Sequence, residues 1–337
     1  MKTKLLLIPA LALSSTLALG AATVRIIQTN AAGDSVMLID PVTNKVVGEI
    51  KDIEVNHGVA AAPDGSRFYI TDEAESTLDV ADAKTLAVIK RIPLSNHPNN
   101  VAISRDGKRV YAAIAIGAGA VDVIDTATLT RVKSIRTEGG IHNVYVTPDG
   151  NWVVAGSIPG KKLIVIDQKT EEVSWMVPTP DGVRPVAFET NADGSTKRIF
   201  LQVSNFNGFL TVDPAAHAIV DKIALPDVSA AEKVTEGLQG APAHGLIVTP
   251  DGRTLGVLSK MNTRLYFYSL PDLKLLGECK VGHHPDWLTQ TPDGKRFYVA
   301  NAGSNSVSVI DVTARKELLQ IPVGQVPKRN ITAILPD

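Results

Sequence analysis

Residues 285–311 read "PDWLTQTPDGKRFYVANAGSNSVSVID". Short alternating runs are separated by "TPDGK" and "AGSN", and both separators carry turn residues. Pro292 presets its own φ, Asp293 can bond nearby backbone, and Gly294 accepts a positive φ. Strict alternation, as in "SVSVID", sends successive side chains to opposite faces of a sheet. The stretch therefore reads as three antiparallel strands in succession, Trp287–Thr291, "RFYVAN" and "SVSVID". The "KELLQIPVG" that follows supplies a fourth strand and the crossing onward.

The same unit recurs along the chain. Turn aspartates of the Pro-Asp-Gly kind fall at Asp64, Asp106, Asp149, Asp193, Asp251 and Asp293, spaced by 42, 43, 44, 58 and 42 residues. A second phrase accompanies them: "LIDPVT" at 38–43, "VADAKT" at 80–85, "VIDTAT" at 123–128 and "VIDQKT" at 165–170. It continues as "TVDPAA" at 211–216, "YSLPDL" at 268–273 and "VIDVTA" at 309–314, giving seven copies. A period in the low forties with four short strands per unit is the pattern of a β-propeller blade. The expected fold is all-β, a seven-bladed propeller of four antiparallel strands per blade. Residues 24–40 match second and third strands with no inner strand before them, whereas "RNITAILPD" at 329–337 resembles an inner strand. The C-terminal strand is therefore expected to complete the first blade, which leaves no exposed sheet edge at the seam.

Composition narrows the class further. The 34 basic and 35 acidic residues nearly cancel, so no global field draws the protein to nucleic acid or an anionic membrane. Lys161, Lys162, Lys197 and Arg198 fall on turns, and aromatics are only 5% of the chain, too few for a base-stacking surface. Lys2 and Lys4 precede an apolar run from Leu5 to Leu19, with small residues at Ala18 and Gly20, which reads as a signal peptide over 1–21. The remainder, 22–337, is expected to be one domain, exported to the periplasm or secreted, monomeric and without a membrane-spanning segment. Cys279 stands alone, so no intrachain disulfide forms; its alternation with apolar neighbours marks a buried strand position.

"RFYVANAGSNSVSVID" and "GKRVYAAIAIGAGAVDVID" resemble the tyrosine-valine-threonine-asparagine (YVTN) type of propeller repeat, and the resemblance covers nearly all of 22–337. It implies a seven-bladed propeller, often exported in bacteria. It implies little about activity, since such proteins include binding proteins, surface proteins and parts of redox systems.

Function must then come from residues that the repeat places together. Seven positions before each turn aspartate stand His57, Asn99, His142, Val186, His244 and Asp286, with Asn330 aligned to them in the terminal strand. Nine positions before stand His97, Arg184 and His284, each followed by proline, with Lys328 in the terminal strand. If the segment is extended, both sets share a face at the mouth of the central channel. A repeated polar contact inherited through blade duplication accounts equally for this pattern. The functional alternatives are four. The residues His57, His97, Asn99, His142, Arg184, His244, His284, Asp286 and Lys328 line a site for a small ligand, an organic redox cofactor or a periplasmic partner protein. His57, His142 and His244 bind a metal ion, for which neutral imidazoles are suited. Or His142 and Arg184 act in catalysis, similar to the His and Arg used by propeller lactonases and cycloisomerases, or the chain is an accessory subunit of a periplasmic dehydrogenase. Glu189, at odd spacing from Arg184, is expected to face away. "HH" at 283–284 is expected to point its two rings apart. The long 58-residue interval places an insertion at 227–241, "DVSAAEKVTEGLQGA", whose composition is helix-compatible.

Overall fold

The computed structural model describes residues 22–336; the signal-peptide assignment at 1–21 lies outside them. Twenty-eight strands, β1 to β28 in chain order, form seven four-stranded sheets. Each inner strand begins near the expected histidine positions and ends at a Pro-Asp-Gly turn or its variant. These strands are β4 (Asn56–Ala61), β8 (Pro98–Ile103), β12 (Ile141–Val146), β16 (Val183–Thr190), β20 (Ala243–Val248) and β24 (Pro285–Gln290). The seventh, β28 (Pro327–Leu335), pairs with β1 (Thr23–Asn30), and the sheet order is β28-β1-β2-β3. The ring is thus closed by the C-terminal strand, as the sequence predicts. We number that sheet blade 1 and the β4–β7 sheet blade 2, and so on to blade 7.

The turns work as their residues suggest. Gly65, Gly107, Gly150, Gly252 and Gly294 all sit at positive φ, and the Asp64 and Asp293 carboxylates accept the amides of Ser66 and Lys295. Apolar side chains fill the spaces between neighbouring blades. Val307 and Val309 of blade 7 pack with Ile26 and Ile39 of blade 1, while Ser308 between them is equally buried, because stacked blades cover both faces of each sheet. Cys279 is buried on its strand, and burial pushes its thiol up to about 12.

Two expectations are corrected. The insertion forms only one 3-10 turn, Ala230–Glu232. Its residues are committed to tertiary partners instead: Glu232 reaches Arg264 (2.7 Å) and Lys280 (3.1 Å) on blade 6, and Gly237 and Gly240 turn the chain at positive φ. So few residues cannot repay a costly helix nucleus. Second, the register of β28 differs by two residues from the count back from its Pro-Asp. Asn330 pairs with Gln28 as Val59 pairs with Ile70, and Pro327 pairs with Asn30 as Asn56 pairs with Asp72. Lys328, not Asn330, is therefore the structural equivalent of His57, and Arg329 is the equivalent of Gly58.

Candidate functional site

The inner strands do not enter the channel as regular β-structure. Each shows a register shift at its start, between residues such as Asn56 and Val59, Ala243 and Leu246, or Pro285 and Trp287. Such bulges re-aim side chains and leave amides outside the ladder. Side chains of the second strands take up those amides: Thr71 accepts from Gly58 (2.7 Å), Gln202 from Gly245 (2.7 Å) and Thr29 from Arg329 (3.0 Å). The bulges are thus held rigidly, and residues six and seven positions before the turn both reach the axis.

On blades 2 and 3 the predicted residues gather around a carboxylate that the sequence reading missed. Glu73 Oε1 lies 2.5 Å from His57 Nδ1 and accepts from Asn99 Nδ2 at 3.2 Å, and Oε2 lies 3.4 Å from His97 Nε2. Burial opposes ionisation of Glu73, but the hydrogen bond from His57 helps to outweigh it and hold its pKa below the usual range. An ionised carboxylate accepts only, so His57 donates from Nδ1 and keeps the Nε2 lone pair free. Burial and the Arg329 charge lower the His57 pKa against the pull of Glu73.

On blades 6 and 7 the arrangement is inverted. Asp286, 3% exposed, is held by Lys260 Nζ at 2.7 Å and by Lys328 Nζ of blade 1 at 3.4 Å. Burial of Asp286 is overcome by Lys328 and Lys260, and its pKa falls well below the usual carboxylate range. His244 donates from Nδ1 to the Asp286 backbone carbonyl at 2.7 Å, since a carbonyl only accepts. Burial pushes the His244 pKa down to about 3, so the ring is neutral with Nε2 free. Its centroid lies 6.0 Å from that of His142, edge to face, although blade 5 separates their strands. Two of the expected imidazoles, His142 and His244, thus meet across the channel.

His142 has the other tautomer. Asn143 Oδ1 accepts from the Arg329 guanidinium, so the Asn143 amide nitrogen must donate to His142 Nδ1 at 2.8 Å, leaving the proton on Nε2. Burial and the Arg329 charge hold His142 well below its ordinary pKa. Arg329 itself comes from blade 1 and bonds Asn143 on blade 4, so it crosses the axis. Its guanidinium lies 4.5 Å from the Trp287 ring centroid. It stands between the histidine cluster and a cavity on the Pro-Asp-Gly side of the channel.

The remaining predicted residues sit at the rim. Arg184 bonds Ser204 Oγ (2.9 Å) and the Gln239 carbonyl (2.8 Å) of the insertion. His284 lies beneath Gly237, where an added Cβ would come within 2.6 Å of its Cε1. The insertion therefore roofs the blade 5–7 side of the mouth. His283 and His284 do not point apart: they occupy a turn before β24, with rings 5.4 Å apart and nearly parallel. Glu189 is spent on Lys197 (2.9 Å) and Arg198 (2.6 Å), away from the mouth. Among the described residues, no group of three or more His, Cys, Asp or Glu is arranged to hold a metal ion.

Glu73, Ser204 and Lys260 occupy one equivalent position, immediately after the second strand of their blades. Aligning that position as well as the inner strand would have found all three. Arg329 was hidden by the two-residue slip of β28.

No family model matches the chain. Over 86 residues it is 28% identical to the uncharacterized protein YncE of Salmonella typhi, a match covering 26% of this chain and about a quarter of that protein. Solved structures match over most of the chain. Hydrazine synthase of Kuenenia stuttgartiensis aligns with a TM-score of 0.71 at 24% identity over 85% of this chain and 92% of that one. The periplasmic gluconolactonase PpgL of Pseudomonas aeruginosa aligns with 0.73 at 19% identity over 93% and 100%. These likenesses establish a shared fold, and the chain is a seven-bladed β-propeller.

Proposed function

We propose that the protein is an exported binding propeller of the YVTN-repeat type whose histidine-side mouth holds a small anionic or carbonyl-bearing ligand. The observation that carries this is the charge ledger of the mouth. Lys260, Lys328 and Arg184 are set against Glu73 and Asp286, His57, His142 and His244 are neutral, and Arg329 adds a further positive charge below. Asp181, farther out, pairs with Lys161 at 3.5 Å and leaves the excess standing. The His142 Nε2–H supplies a donor and the free Nε2 atoms of His57 and His244 supply acceptors, so a hydroxy acid fits the donor set. Export rests on the Lys2–Gly20 segment and accords with the periplasmic setting named for PpgL. The test is calorimetric titration of purified protein with gluconate and with inorganic phosphate. Binding weakened by added salt and lost in the His142→Ala/His244→Ala double variant, with the fold intact, is expected; unfolding of that variant would assign the histidines to structure alone. Elemental analysis and an absorption spectrum of the protein purified from the periplasm separate metal and organic redox cofactors from a free-ligand site.

One observation favours catalysis as a second reading. The His57–Glu73 pair orients an imidazole with its Nε2 lone pair free, the geometry of a general base, and two further solved propellers of this fold are provisionally named 6-phosphogluconolactonases. Hydrolysis of gluconolactone followed by pH-stat, abolished by His57→Ala, is the outcome this reading requires.

A further inference from the structure

We propose that the chamber on the Pro-Asp-Gly side is a second, independent site for a small aromatic or alicyclic carboxylate, with its anionic end on Arg329. The cavity has a volume of about 660 Å³. Its walls are the later, mainly aliphatic residues of the inner strands, including Val101, Val146, Leu246 and Ile331. Among the described residues, the charged side chains lining it are Arg105 and Arg329, and no carboxylate is among them. Arg105 is exposed at the rim and Arg329 is 2% exposed at the floor.

Arg329 is unusual among the cations of the channel. Lys260 and Lys328 are matched by Asp286, whereas no acid lies within salt-bridge distance of Arg329 among the described residues. Its Nε–H is buried and has no acceptor. Asn143 takes one Nη2 hydrogen and the Trp287 face takes the flat side of the guanidinium. A buried guanidinium with an unused donor favours a planar oxyanion, which its fork can meet with two parallel hydrogen bonds. Trp287 and Tyr145 also line the cavity, with rings nearly parallel (4°) and centroids 6.5 Å apart. They give a flat ligand body a surface that aliphatic walls do not. An apolar cavity with one convergent charged group is the usual form of a small-molecule site. The proposal does not depend on a ligand at the histidine-side mouth.

The test uses 2-naphthoate and its neutral counterpart 2-naphthamide, titrated calorimetrically into the full chain. Saturable 1:1 binding of the acid, tighter than the amide by roughly ten- to a hundredfold, is expected from a charged hydrogen bond. Arg329→Gln removes that preference, Ala102→Phe at the cavity wall weakens both probes, and His57→Ala leaves both unchanged. Equal affinities for acid and amide overturn the proposal, as does naphthoate binding that depends on His57 and not on Ala102. If Arg329→Gln does not fold, the acid-to-amide ratio of the native chain, with its block by Ala102→Phe, decides the matter alone.

Discussion

Blades 2–3 and blades 6–7 place the same strand positions at the same mouth, yet the position after the second strand carries opposite charge in the two. On blades 2–3 the residue after the second strand is Glu73, and it holds two imidazoles and an amide. On blades 6–7 the equivalent residue is Lys260, and it holds the carboxylate of Asp286. His57 is oriented by an acid beside solvent; His244 is sealed beneath the insertion-covered half, 4% exposed, and bonded to backbone. One repeat thus gives one half suited to proton exchange and another suited to holding charge. Duplication supplies the positions, and single substitutions set their chemistry.

Both halves rest on the closed ring, and opening it should have the largest effect. Deleting 329–337 removes Arg329 and most of β28, and with them the contacts of Ile331, Ala333 and Leu335 to the cluster containing Ile27 and Phe68. Loss of the cooperative melting transition, followed by circular dichroism, is expected; an unchanged Tm would show that the seam is dispensable. Next in size is Asp286→Asn, which leaves Lys260 and Lys328 without a counter-charge in a buried place. A loss of about 3–5 kcal/mol in denaturant unfolding is expected. The matching change on the other half, Glu73→Gln, should cost less, because Glu73 and His57 are each 14% exposed and meet water. Equal costs would erase the distinction between the halves.

The smallest effect is a pH slope. His57, His142 and His244 all titrate below their ordinary value of 6.5 in the fold. The unfolded chain therefore binds more protons as pH falls below 6.5, and stability declines through that window; for His244 it levels only near its folded pKa of about 3. Tm measured between pH 6.5 and 4.5 should fall less steeply in His244→Gln than in the native chain. Parallel slopes would place a charged, not neutral, His244 in the fold.

How much of this was legible beforehand follows from the kind of interaction involved. Turn chemistry and alternation are local, so the blades, their number and the closing strand could be read from Pro-Asp-Gly spacing and from "RNITAILPD". The histidine offsets singled out His57, His97 and Asn99, which contact Glu73, and His244, Asp286 and Lys328, which lie together on the other side. They misjudged the terminal register, the conformation of 227–241 and the directions of His283 and His284, because bulges, ion pairs to Arg264 and a turn before β24 are tertiary choices. Glu73 and Lys260 were silent because each lies in another strand's turn.

The sequence alone determined a repeated four-strand unit and the ring it must close, since hydrogen-bonded turns and period-two burial depend on neighbours along the chain. Only the tertiary structure decided which side chains meet at the axis, which tautomer each imidazole adopts, and that Arg329 stands between the histidine cluster and the cavity on the Pro-Asp-Gly side. Those outcomes depend on distances between blades far apart in sequence, and a two-residue slip in one strand is enough to exchange a lysine for an asparagine at the site.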